Sequence, residues 1–129
     1  MSAKAEAIVV KCPDPRIQKT IRVFLETQEL PEGTFFPLTP LGGSLNIIKV
    51  EEGIQLAIEE LGARQIFIFG HRKCKANEKK YGMDDLARHL ENLHAAESWV
   101  TNRFPELQVR LFLMHWISDE VWQIEEIKG

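Results

Sequence analysis

At 129 residues the chain is long enough for one domain whose core needs no disulfide or metal staple. Hydrophobic residues make up 44% and charged residues 27%, the balance of a soluble globular domain. A net charge of −3 leaves no basic footprint for nucleic acid or anionic lipid, and no apolar run approaches the ~20 residues needed to span a bilayer.

The first residues, MSAKAEAIVV, lack the layout of a signal peptide, so a cytoplasmic protein is expected. In a reducing compartment its two cysteines are expected as thiols or metal ligands, not as a disulfide. Residues 5–12, AEAIVVKC, form a β-branched run ending in a Pro-rich turn, which predicts a buried strand. Over 16–30, Ile17, Ile21, Phe24 and Leu25 fall on one helical face, and Pro31 and Gly33 end the helix. Residues 34–48 are apolar but interrupted by Pro37 and Pro40, so any strand there is brief or at an edge. Gly42-Gly43 then permits a tight bend or a close backbone approach. The stripe Ile54, Ala57, Ile58 and Leu61 predicts a helix over 49–62 that stops at Gly62. Residues 64–71, RQIFIFGH, predict a second buried strand. A long amphipathic helix is expected over 84–104, with Leu86, Leu90, Leu93 and Val100 inward and Asp84 as N-cap. Residues 107–116 predict a strand, 118–120 a hairpin turn, and 121–127 an alternating final strand.

This alternation of strands and helices predicts a single α/β domain over residues 1–129. It is a layered fold with a mostly parallel central sheet, helices on its faces and a C-terminal antiparallel edge strand. Sites in such sheets form beyond the carboxyl ends of the strands. Both cysteines fall there. Cys12 follows the first strand, and Cys74 lies three residues after His71 at the end of the second. If those strands are neighbours, Cys12, His71 and Cys74 converge as a Cys₂His set, a three-ligand arrangement used for catalytic zinc. Taken singly, a strand-end cysteine is more often a small hydrophobe, and a lone His-x-x-Cys pair is weak. A phosphatase loop is excluded, because Gln18 and Lys80 stand where Cys-x₅-Arg would need arginine.

CPDPR at 12–16 together with HRKC at 71–74 resembles the Cys-x-Asp-x-Arg and His-x-x-Cys signature of the β-class carbonic anhydrases. EEGIQLAIEELGARQIFIFGHRKCKA is similar to that family's helix, turn, strand and metal loop, and FPELQVRLFLMHWISDEVWQIE to its closing strand pair. The resemblance implies zinc held by Cys12, His71 and Cys74, and reversible hydration of carbon dioxide to bicarbonate in a homodimer or higher homo-oligomer. It implies that Asp14 and Arg16 form the catalytic dyad, in which Asp14 accepts a hydrogen bond from activated water or else closes the metal site as a fourth ligand. It also places Gly42 and Gly43 at the substrate.

Four departures touch substrate geometry more than metal binding. Lys75 replaces the family's glycine after the second cysteine, and Thr39 replaces an arginine ahead of Gly42. The N-terminal helical arm has no counterpart, and the segment before the last helix is cut to KANEKKYGMD. Two alternatives therefore stand beside CO₂ hydration: turnover of another small molecule at a remodelled zinc site, and a zinc-stabilised binding or assembly module. The charged run HRKCKANEKK is expected as a solvated loop. His89 and His94 are expected at the surface or core edge, and His115, Trp99, Trp116 and Trp122 in packing or interface roles.

Overall fold

The computed structural model describes residues 4–128. The expected absence of a leader peptide and the outer bounds of the 1–129 domain fall partly on residues outside this range. Five strands, β1 (Ala7–Val10), β2 (Phe35–Leu38), β3 (Gln65–His71), β4 (Gln108–Ser118) and β5 (Val121–Ile127), form one sheet in the order β2-β1-β3-β4-β5. The first four run parallel, and β5 returns antiparallel to β4. The helices are α1 (Gln18–Thr27), α2 (Glu51–Leu61), α3 (Lys75–Tyr81) and α4 (Leu86–Arg103), none long and apolar enough to cross a membrane. This is the expected α/β layering.

Strand periodicity decides what each face of the sheet holds. Ile66 and Ile68 of β3 join Ile8, Val10, Leu111 and Leu113 under α2 and α4. Phe67 and Phe69 turn the other way, toward Ile21 and Leu25 of α1. There Phe112 stacks on Phe67 and Phe69 at centroid distances of 5.3 and 5.0 Å, and Phe24 meets it edge-on at 5.1 Å. The second face thus carries a cluster of four phenylalanines among its aliphatic residues. α2 ends where Gly62 takes φ 74°, a left-handed conformation that glycine adopts without a Cβ penalty.

The strand order sets the site. The connection from β1 leads through α1 to β2 on one side, whereas β3 and β4 extend the sheet on the other. β1 and β3 are therefore parallel neighbours whose outgoing connections diverge, and a crevice opens between their carboxyl ends. β2 is four residues long and contains Pro37, as the proline pattern required.

Several expectations are corrected. Residues 43–50 form 3-10 turns ahead of α2, so the α-helix starts at Glu51. The charged run is not a loop but contains α3, closed by Gly82 at φ 79°. Its charges face solvent while Asn77 is buried, so no apolar stripe announces it. The N-cap of α4 is Asp85, whose carboxylate accepts from Ala87 N at 3.0 Å. Asp84 is drawn away by Arg72, Lys73 and His89. Leu86 continues the inward stripe past the end of the core and is exposed. His89 is 2% exposed and lies inside, whereas His94 stays at the surface.

Candidate metal centre

Cys12 lies two residues beyond β1, His71 ends β3, and Cys74 occupies the N-cap of α3. Their ligating atoms all lie within 4.8 Å of one another, and the residues are 7%, 2% and 1% exposed. The first loop is fixed by backbone approach. Gly42 (φ 79°) donates its N–H to Cys12 Sγ at 3.3 Å. Gly43 (φ 57°) is wedged so tightly that a Cβ there would stand 2.4 Å from Phe69 O and 3.2 Å from Cys12 N. Both glycines of the expected substrate segment thus pack against the first cysteine.

Two contacts orient the imidazole. His71 Nδ1 lies 2.9 Å from the Arg72 carbonyl, which only accepts, so the proton sits on Nδ1 and the Nε2 lone pair is free. Trp122 meets the ring edge-on at 5.7 Å. Among the described residues, Nε2 is the one fully buried side-chain nitrogen or oxygen without a hydrogen-bond partner. Leaving such an atom unpaired costs about 1–3 kcal/mol, so it calls for a ligand.

Both thiols are free. Cys12 is pushed up by its hydrogen bond to Cys74 and by burial. Cys74 is drawn down by the bond from Cys12, against burial, with His71 and Asn77 adding to the effect. Of the two sulfurs, Cys74 is therefore the one that gives up its proton more readily. Two thiols and one outward lone pair on buried, convergent atoms fit a zinc ion of the Cys₂His type, whose fourth position stays exchangeable.

Asp14 and Arg16 stand at the entrance. Asp14 Oδ1 accepts from Arg16 N at 2.9 Å, and Oδ2 from Arg16 Nη2 at 2.8 Å. The hydrogen bond from the guanidinium holds the Asp14 carboxyl below its ordinary value against the opposing effect of burial. The pair is therefore ionised at neutral pH. Arg16 Nη2 also donates to Lys73 O at 2.9 Å, which joins the loop after β1 to the loop after β3. The Asp14 carboxylate lies outside the three-residue cluster, engaged with Arg16. An open depression of about 680 Å³ leads in from solvent, lined by Pro13, Asp14, Arg16, Leu41, Lys75 and Ala76. Lys75 does not crowd the centre. Its side chain is 83% exposed, with Nζ 4.0 Å from Glu78 Oε2.

Sequence reasoning missed several supporting residues. Gln18 Nε2 donates to the carbonyls of Cys12 and Asp14 at 2.9 and 2.7 Å. Asn77, held by Asn92 at 2.8 Å, touches the second thiol. Trp122 had a general packing role but no assignment to the histidine. Only the position of Gln18, close after CPDPR, carried a sequence signal.

No family model matches the chain. The chain is similar to an uncharacterized protein of Rickettsia conorii, 27% identical over 140 aligned positions that take in 96% of this chain and 74% of the relative. In structure it is similar to a carbonic anhydrase of Streptococcus mutans, with TM-score 0.71 and 14% identity over 98% of this chain and 84% of that one. A β-carbonic anhydrase of Trichomonas vaginalis superposes with TM-score 0.66 and 16% identity over 97% and 83% of the two chains. A tetrameric β-carbonic anhydrase of Sordaria macrospora gives 0.67 and 15% over 99% and 83%. The likeness establishes a β-carbonic-anhydrase-like fold.

Proposed function

We propose that the protein binds zinc through Cys12, His71 and Cys74 and catalyses the reversible hydration of carbon dioxide to bicarbonate, as a homodimer or higher homo-oligomer. The observation that carries this reading is the meeting of three buried ligating atoms, one of them the orphaned His71 Nε2, beside an ion-paired aspartate at the crevice between β1 and β3. The carbonic anhydrase folds to which the chain is similar support the reaction, and the tetrameric neighbour supports self-association.

Zinc, when bound, acts as a Lewis acid that brings the ionisation of water down to near neutral pH. The chain's own residues do the rest. Asp14 keeps its charge because Arg16 donates to both carboxylate oxygens. A lone pair left on that carboxylate can accept a hydrogen bond from water in the depression and so orient its oxygen toward carbon dioxide. Pro13, Leu41 and Ala76 give the depression apolar wall for a small linear substrate. The backbone of Gly42 and Gly43 packs against Cys12 and steadies it.

The test is stopped-flow CO₂ hydration with zinc-replete protein, read beside metal content. Wild type is expected to exceed the buffer rate with one zinc per chain. Asp14→Ala is expected to retain zinc and lose at least about tenfold in rate. Zinc-loaded wild type with no rate above buffer overturns CO₂ hydration and leaves the metal-binding assignment standing.

A further inference from the structure

The second metal loop contains a strained residue that its neighbours must hold. Lys73 adopts φ 57°, a left-handed conformation that costs a non-glycine residue about 1–3 kcal/mol and persists only where the surroundings enforce it. It lies between His71 and Cys74, so its conformation sets how the imidazole and the second thiol face each other. Preceding it, Arg72 supplies the carbonyl that accepts from His71 Nδ1. Whatever fixes the Arg72–Lys73 backbone fixes the ligands.

One carboxylate grips both of these residues. Asp84 Oδ1 accepts from Lys73 N at 3.0 Å, and Oδ2 accepts from Arg72 Nε at 3.1 Å. Behind it, His89 Nε2 on α4 lies 2.8 Å from Oδ1. The carboxylate only accepts, so Nε2 carries the proton in this pair. His89 is buried, whereas Asp84 and Arg72 are partly exposed, so the clamp is anchored in the core and reaches outward to the loop. Arg72 N adds a bond to Met114 O at 2.9 Å, which ties the same dipeptide to β4.

We propose that Asp84 is a positioning residue for the metal centre: backed by His89, it holds the Arg72–Lys73 backbone in the conformation that presents His71 and Cys74 to the ion. The inference rests on the zinc assignment above. It deepens that assignment, because Asp84 touches neither metal nor substrate and acts through the loop. Outer partners of metal ligands typically contribute roughly tenfold to a hundredfold in metal affinity. Asparagine at position 84 retains an acceptor for Lys73 N but turns an amide toward the Arg72 donor, so the grip is lost with little change of shape.

The experiment measures zinc affinity by chelator competition and zinc release by a colorimetric indicator, in full-length wild type, Asp84→Asn, Asp84→Glu and Asp85→Asn. The cobalt-substituted absorption spectrum and the melting of the metal-free proteins are recorded beside them. Asp84→Asn is expected to bind zinc roughly tenfold to a hundredfold more weakly. It should release the ion faster and alter the thiolate-to-cobalt band, with metal-free melting close to wild type. Asp84→Glu is expected to fall between, and Asp85→Asn, which still caps α4, to match wild type. Unchanged affinity and release in Asp84→Asn, with wild type binding tightly, overturns the positioning role alone. Wild type that takes up no zinc overturns the zinc assignment and this inference together. Should Asp84→Asn fail to fold, Arg72→Ala decides: faster release supports the clamp and unchanged release overturns it.

Discussion

The two loops that bring the ligands together are built on different principles. The loop after β1 combines short-range contacts with one distant support: Asp14 caps its 3-10 turn, Arg16 pairs with Asp14, Gln18 reaches back to two carbonyls, and the Gly42-Gly43 backbone backs Cys12. The loop after β3 is held from a distance, by Arg16, Asp84 and the Met114 carbonyl, and its Lys73 ammonium lies 4.3 Å over the Trp116 ring. Most hydrogen bonds of the first span six residues or fewer. The second depends on the Pro15–Ile17 turn, on Asp84 ahead of α4 and on β4. A centre made of one local and one borrowed loop should lose its second half first when the fold is perturbed.

The sharpest break of this contrast is at the ligands. His71→Ala is expected to reduce zinc from one ion per chain to none by atomic absorption, because two thiols alone leave the set incomplete. Next comes the wedge where Gly43 packs between the loop after β1 and strand β3. Gly43→Ala puts a Cβ against backbone atoms of Cys12 and Phe69 in a left-handed conformation. A loss of roughly 2–4 kcal/mol is expected in chemical denaturation, from strain and overpacking. Gln18→Ala separates the loops. It removes two half-buried hydrogen bonds of the first and none of the second, so a loss of about 1–2 kcal/mol is expected with zinc release little changed.

The smallest effect lies outside both loops. Glu126 pairs with Arg110 across β4 and β5, and the hydrogen bond from that guanidinium holds its carboxyl below the ordinary value. The unfolded chain therefore takes up the proton first as pH falls. The pair's stabilisation is present at neutral pH and disappears as pH drops through the folded-state value. Partial exposure limits it to under about 1 kcal/mol. Glu126→Gln should remove this acid-sensitive component in pH-dependent melting and leave zinc release unaltered.

The legible parts of the sequence were those governed by short periods. The alternation in IFIF placed two residues of β3 on each face, and the β-branched run before Cys12 marked its neighbour. The convergence of Cys12, His71 and Cys74 was legible only on condition that the two strands are neighbours, and the sheet order supplies that adjacency. What stayed hidden depends on long-range pairing. α3 buries a polar Asn77 and so carries no apolar stripe. With two consecutive aspartates before α4, capping chemistry alone could not tell which one turns back to Arg72 and which one caps. His89 read as a surface or core-edge residue because its partner, Asp84, is recruited from outside the helix.

The proline within β2 has a further consequence. Pro37 removes a backbone donor from one outermost strand, and Glu125 and Glu126 put charged side chains on the other, β5, with Glu126 paired to Arg110. Both margins of the sheet thus resist docking by a strand from another molecule, which disfavours growth into fibrils.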